Sequence, residues 1–246
     1  MKTLKADSDS EVKPTGALEY TFSRRSSAKK ELVHIYEVAG KNLQGIIQSL
    51  LSRDNYGGLF FAVVVDLSQP MEAIESLGEW LGIVRDESNR FLQKLEPEAQ
   101  RQHIEAVTAK SANHEDSGSI EPLLLPTVII GNKFDLYEKF DTEVRKWIAR
   151  TLRYFALRNG CSLVFNSARL PQLSAQVRSV FSSLFFGENP SNLSLSQKDH
   201  MKPLFVMNGC DTVNAMSLPH PGSLSMEVAL KKHIGGLVPA KQERKA

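Results

Sequence analysis

The chain has 246 residues, with 41% hydrophobic and 24% charged residues and a formal net charge of +2. That balance lacks the positive excess of a broad nucleic-acid-binding face, and no apolar run approaches the roughly 20 residues of a membrane helix. Two cysteines, Cys161 and Cys210, cannot build a disulfide framework or a zinc site alone, so the composition fits a cytosolic α/β protein in a reducing compartment.

Residues 1–13, MKTLKADSDSEVK, are polar, with no apolar signal-peptide core, and are expected to be disordered. Residues 17–25 are rich in strand formers. Residues 31–40 alternate, with Leu32, His34 and Tyr36 on one face and Val33, Ile35 and Glu37 on the other. The short polar link between these two runs predicts an antiparallel hairpin. In residues 41–53, Leu43, Ile46, Ile47, Leu50 and Leu51 recur at helical spacing. LFFAVVVDLS, at residues 59–68, is a nearly unbroken apolar run, which predicts a strand buried on both faces in the middle of a sheet.

A long helix is predicted over residues 71–95, then a helix tail and an exposed loop over residues 96–121. Residues 123–136 read as a second buried strand ending in a polar turn. Residues 142–160 read as a strong helix stopped by Gly160, and residues 161–169 as a third strand. A helix over residues 173–187 follows. Strand and helix alternate from Leu59 onward, which implies a parallel sheet with helices on both faces. Residues 191–200 resemble a linker, residues 202–211 a further strand, and residues 223–237 a last helix with Ser225 as its cap. A charged tail ends the chain. The core is therefore expected over residues 14–190, with residues 191–246 as an appendage.

The chemistry-bearing residues follow the carboxyl ends of strands, where open α/β sheets bind ligands. TVIIG runs into Asn132-Lys133-Phe134-Asp135. A carboxylate at Asp135 could accept two hydrogen bonds from guanine, a pair that adenine does not offer. Asn132 would brace the loop, and the Lys133 stem would cover the ring. The next strand ends in Asn166-Ser167-Ala168-Arg169, like the S-A-K turn whose backbone N–H meets the guanine oxygen. Each motif alone is also what an ordinary polar turn would give. Their occurrence on consecutive strands favours a nucleotide-type fold.

Upstream, Pro14-Thr15 and Glu37-Val38-Ala39-Gly40 stand where a GTPase has its first switch threonine and its D-x-x-G. Glu37 replaces the aspartate, and EVAG reads equally well as a strand end and a glycine turn. No residue that would orient water follows Gly40. No G-x-x-x-x-G-K-S/T occurs in the 246 residues, so the phosphate cradle, lysine and magnesium-binding hydroxyl are lacking. Hydrolysis is not expected.

Taken together, PTGALEYTFSRR, HIYEVAG, FAVVVDLSQP, LPTVIIGNKFDLYEKF, RKWIARTLRYFALRNGCSLVFNSAR, KPLFVMNGCD and SLSMEVALKK resemble the light intermediate chains of cytoplasmic dynein-2. The resemblance implies an α/β Ras-like, P-loop NTPase-type sheet whose first strand and phosphate loop are missing here. It also implies a non-catalytic subunit that binds and stabilises the dynein-2 heavy chain, among other dynein-2 subunits, for retrograde intraflagellar transport and cilium assembly. The implied location is the cytoplasm, the cytoskeleton, and the cilium with its basal body and axoneme. Asn132, Lys133, Asp135, Ser167 and Ala168 become vestigial guanine-site residues, with at most weak GDP or GTP binding, and no metal, nucleic acid or membrane is implied.

In a Ras-like sheet the missing strand would lie between the strands at residues 31–40 and 59–68. Its loss leaves two unpaired edges. A sequence shortened at its start is the favoured account, ahead of a re-docked hairpin or a partner-supplied strand. The alternative function is a small GTPase-like switch. A hydrolase lacks any G-x-S-x-G elbow. Trp147, Tyr154 and Phe155 read as core, and Cys161 as a packed thiol. Arg150, Arg153 and Arg158 read as a solvated face, with docking onto an acidic partner as the alternative. Phe185, Phe186, Met226 and Leu230 are candidate partner contacts.

Overall fold

The computed structural model describes residues 15–26, 30–51, 58–186, 196–218 and 226–237. The expected disordered start, residues 191–195 of the expected linker, the Ser225 cap and the charged tail lie outside these residues.

The alternation at the start of the chain produces a hairpin. β1 (Leu18–Ser26) pairs antiparallel with β2 (Lys30–Val38), in a register that sets Leu18 against Val38 and Tyr20 against Tyr36. Period-two patterning puts Leu18, Tyr20, Phe22, Leu32 and Tyr36 on one exposed face. Tyr20 and Tyr36 pack across the strands at 5.1 Å, and the Tyr20 hydroxyl lies 2.9 Å from His34 Nδ1. A 3-10 turn at Lys41–Leu43 leads into α1 (Gln44–Leu50), which buries Ile47.

β3 (Phe61–Asp66), β4 (Thr127–Asn132), β5 (Ser162–Phe165) and β6 (Phe205–Val206) form a second sheet in that spatial order. The first three strands are parallel and β6 is antiparallel. The long helix α2 (Pro70–Leu92) has Pro70 at its first turn, where a missing N–H costs nothing. It turns Ile74, Leu77 and Leu81 onto one face of the sheet. α3 (Pro97–Ala112) follows it. After β4 come the short α4 (Phe134–Tyr137) and then α5 (Thr142–Arg158).

The helix α5 is capped by Asp141, which accepts a 2.8 Å hydrogen bond from the Glu143 N–H. It adds Ile148, Leu152 and Phe155 to the same core as α2. Gly160 ends it with φ +62°, where a Cβ would stand 2.9 Å from Pro122 Cβ, so glycine is required. α6 (Pro171–Phe186) covers the opposite face, where Val177, Val180 and Phe181 meet Val128, Ile130, Val164 and Phe205. α7 (Val213–Met216) and α8 (Met226–Leu237) complete the described chain, and Ile234 of α8 joins the α2–α5 side. Each fully buried Leu or Ile contributes about 1.5–3 kcal/mol, so these two clusters hold the layers together.

Three expectations need correction. Among the described residues, the strand predicted for the middle of the sheet is at its edge: Val63 and Val65 are buried, but Val64 is 56% exposed. The apolar run reported burial correctly for one face only. The N–H groups of Phe61 and Leu67 donate to Pro126 and Asn132. By alternation, the backbone groups of Ala62 and Val64 point to the open edge. Among the described residues, β2 pairs with β1 and not with β3.

The region read as a helix tail and loop holds a separate 16-residue helix, α3, with no buried residue. Finally, Arg153 is not on a solvated face. It is 6% exposed, and its Nε and Nη2 donate to Asp211 at 2.7 and 2.6 Å. Of the other two arginines, Arg150 stacks over Trp147 at 4.9 Å, and Arg158 lies 3.7 Å from Glu121.

An apolar edge strand with free backbone groups is a template for pairing with other chains. We expect Val64→Lys to reduce concentration-dependent light scattering of the purified chain while leaving its circular dichroism unchanged. Scattering that is unaltered by the substitution would place the self-association elsewhere.

Candidate guanine-type site

The carboxyl ends of β3, β4 and β5 converge. Gly131, next to last in β4, packs so closely on its neighbours that an added Cβ would stand 2.7 Å from the Phe165 ring and 2.9 Å from Leu67. That contact brings the two turns together, and backbone hydrogen bonds fasten them. The Asn166 N–H donates to Gly131 O at 2.8 Å, and the Phe134 N–H donates to Asn166 O at 3.0 Å. Lys133 takes the left-handed conformation, φ 62°, at the start of α4. That strained position for a residue bearing a Cβ sets the direction of the loop.

The side chains complete the link. Asn166 Nδ2 donates to Asn132 Oδ1 at 3.2 Å, and Ser167 Oγ donates to Asp135 Oδ1 at 2.6 Å. Asn166 and Ser167 are buried, and Ala168 is exposed beside them. The structure therefore brings all five sequence-predicted residues to one end of the sheet. Two partners were not foreseen. Lys133 Nζ donates to Asp66 Oδ2 at 2.6 Å, and Arg169 Nη1 lies 3.5 Å from Asp135 Oδ2. Burial raises the Asp66 pKa, but hydrogen bonds from Lys133 and Ser68 outweigh it and hold the carboxyl below its ordinary value. The sequence shows an aspartate near the end of the apolar run VVVDL, but nothing local to it names Lys133 as its partner.

The donor and acceptor set fits the base of a guanine nucleotide in part. Asp135 keeps acceptor capacity beside Ser167, because a carboxylate has about four lone-pair sites. Arg169 competes for one of its oxygens, and Lys133 is drawn to Asp66. The phosphate side has no match, since the sequence holds no G-x-x-x-x-G-K-S/T. Thr15 and Glu37, the switch-like residues, do meet: Thr15 Oγ1 donates to Glu37 Oε1 at 2.8 Å, on the separate hairpin. Pro14 lies outside the described residues. Cys161 is fully enclosed, and burial pushes its thiol up to about 12, which suits packing and not nucleophilic attack.

No protein-family model matches the sequence. Among curated proteins, the chain is 34% identical over 220 residues to cytoplasmic dynein 2 light intermediate chain 1 of Danio rerio, covering 86% of this chain and 60% of that protein. The Mus musculus protein of the same name is 32% identical over 223 residues, covering 87% of this chain and 62% of that protein. The Homo sapiens protein is 31% identical over 222 residues, with the same coverage of 87% and 62%. The chain is a homologue of the cytoplasmic dynein 2 light intermediate chains.

The chain spans about three fifths of the length of these relatives. The crystal structure of the dynein light intermediate chain's conserved domain superposes with a TM-score of 0.65 at 17% identity, covering 93% of this chain and 82% of that one. That likeness establishes the fold: an α/β sheet of Ras-like type flanked by helices. Among the described residues, this light intermediate chain homologue has no helix long and apolar enough to cross a membrane.

Proposed function

We propose that this chain is a non-catalytic light intermediate chain of the cytoplasmic dynein-2 complex. It binds and stabilises the heavy chain, and so serves retrograde intraflagellar transport and cilium assembly in the cytoplasm, at the basal body and along the axoneme. The observation that carries this reading is the 31–34% identity to dynein 2 light intermediate chains over most of the chain. A scaffold role also suits a molecule that exposes an aromatic hairpin face, since exposed apolar patches mark interaction surfaces. Of the candidate contacts, Phe185 packs against Phe60 at 4.7 Å inside the α6-side cluster, which leaves it less of a free surface. The side chains of Met226 and Leu230 lie outside the described residues.

Affinity purification of the tagged chain from ciliated cells should recover the dynein-2 heavy chain. Depletion should shorten cilia or accumulate transport particles at their tips. Normal cilia after complete loss, together with a purification free of heavy chain, would overturn the reading. It would leave ahead the GTPase-like switch, which the convergence of Asn132, Asp135 and Ser167 favours.

The same proposal gives the guanine-site residues Asn132, Lys133, Asp135, Ser167 and Ala168 a structural role, with at most weak nucleotide binding. The purified chain should show GTP turnover no higher than a buffer blank, because chain groups to hold the phosphates and orient water are lacking. Phosphate release that disappears in Asp135→Ala would refute this.

A further inference from the structure

Two arginines of α5 are buried, two turns apart, and among the described residues only one of them has a counter-ion. Arg153 is matched by Asp211. Arg145 is 8% exposed; among the described residues its Nε has no hydrogen-bond partner and its Nη2 meets the Met201 sulfur at 3.2 Å. A thioether is a weak acceptor for a guanidinium. The nearest acids in sequence are engaged elsewhere: Asp141 caps the helix through the Glu143 N–H, and Glu143 pairs with Lys146 at 3.0 Å. Among the described residues, no carboxylate stands within ion-pair distance of Arg145. Buried charges are ordinarily paired, and an orphaned guanidinium N–H is costly.

The surroundings suit an anion. Arg145 lies in the first turns of the 17-residue α5, the end where helix dipoles favour negative charge. Its planar fork matches a carboxylate in bidentate geometry. Met201 is 47% exposed, and its turn is fixed by Asp199, which accepts from the Met201 and Lys202 N–H groups. Opening the site therefore needs a rotamer change in one unbranched side chain and no refolding.

We infer that Arg145 is the seat of a carboxylate from another polypeptide, an aspartate or glutamate of the heavy chain that this subunit binds, admitted when Met201 swings aside. The partner named here rests on the proposed function, while the anion seat does not.

Three measurements on the full chain test it. Arg145→Met should melt at or above the wild-type temperature, because a buried cation without a counter-ion is removed. Sodium acetate, compared with sodium chloride at equal ionic strength and pH 7, should raise the melting temperature of the wild type and not of Arg145→Met. Heavy-chain recovery by Arg145→Met should fall at least about tenfold, as for loss of a desolvated charge pair.

A variant that melts well below wild type shows that the guanidinium is already satisfied inside the chain, and overturns the inference. An equal acetate response in both proteins also overturns it. Wild-type recovery of heavy chain with undiminished recovery by the variant removes the partner carboxylate but keeps the dynein reading. A wild type that recovers no heavy chain sinks the dynein reading and the partner named here, with the acetate comparison still deciding the seat.

Discussion

Arg153→Met should destabilise the chain by about 3–5 kcal/mol, the usual cost of stranding one member of a buried ion pair. For a domain of this size that is a fall of roughly 10 °C in melting temperature. The carboxylate left behind, Asp211, has a side chain only 4% exposed, with Lys198 Nζ at 3.5 Å as its remaining cation. The pair links α5 to the segment that carries β6 and α7. His114 Nε2 also lies 2.8 Å from the Asp211 carbonyl oxygen, and the Val213 N–H donates to Asp116. Loss of the pair therefore loosens a whole edge of the fold. The double variant Arg153→Met with Asp211→Leu should recover much of the loss, because both charges leave together. Arg150→Met, which removes only a half-buried stacking contact on Trp147, should cost less than about 1 kcal/mol. Thermal unfolding of the four proteins decides the matter. A single Arg153→Met that melts within a degree of wild type would mean the buried pair adds nothing.

Sequence pattern alone does not place Arg153. On a helix with arginines at 150, 153 and 158, local pattern suggests a wet face, and the partner lies 58 residues further along the chain. Nothing local announces such a pairing. The hairpin was legible because two runs rich in strand formers, residues 17–25 and 31–40, are joined by a short polar link. The helices α2 and α5 were legible because their apolar residues recur at helical spacing.

α3 is hard to see in the sequence for the opposite reason. It buries no residue, so it carries no apolar stripe, and its one local signal was Pro97 at the first turn. β3 shows the limit of composition. An unbroken apolar run marks a strand that avoids water, but it does not tell how many neighbours the strand has. At the guanine-type site the two turns were legible as motifs, because each lies next to its own strand. The Lys133–Asp66 contact was not, since it depends on β3 and β4 being neighbours in register, Asp66 opposite Asn132.

Phe165→Ala should cost about 3–5 kcal/mol, in the range of other large-to-small changes at buried aromatic positions. Phe165 is fully buried, edge-on to Tyr137 at 5.4 Å and 6.1 Å from Phe134. Its ring also fills the space that the absent Gly131 side chain leaves open. Gly131→Ala alone should therefore be destabilising by about 1–3 kcal/mol, since the new methyl group meets that ring and Leu67. With the ring removed, the same methyl group enters a cavity. The double variant should then be less destabilised than the sum of the two single changes, and a double-mutant cycle should return a coupling of about 1 kcal/mol or more. The coupling matters for the site because Gly131 and Phe165 immediately precede the turns that carry Asn132 to Asp135 and Asn166 to Ser167. Additive effects within about 0.3–0.5 kcal/mol would show that the glycine and the ring do not set this contact, and that the two turns are held together by their backbone hydrogen bonds alone.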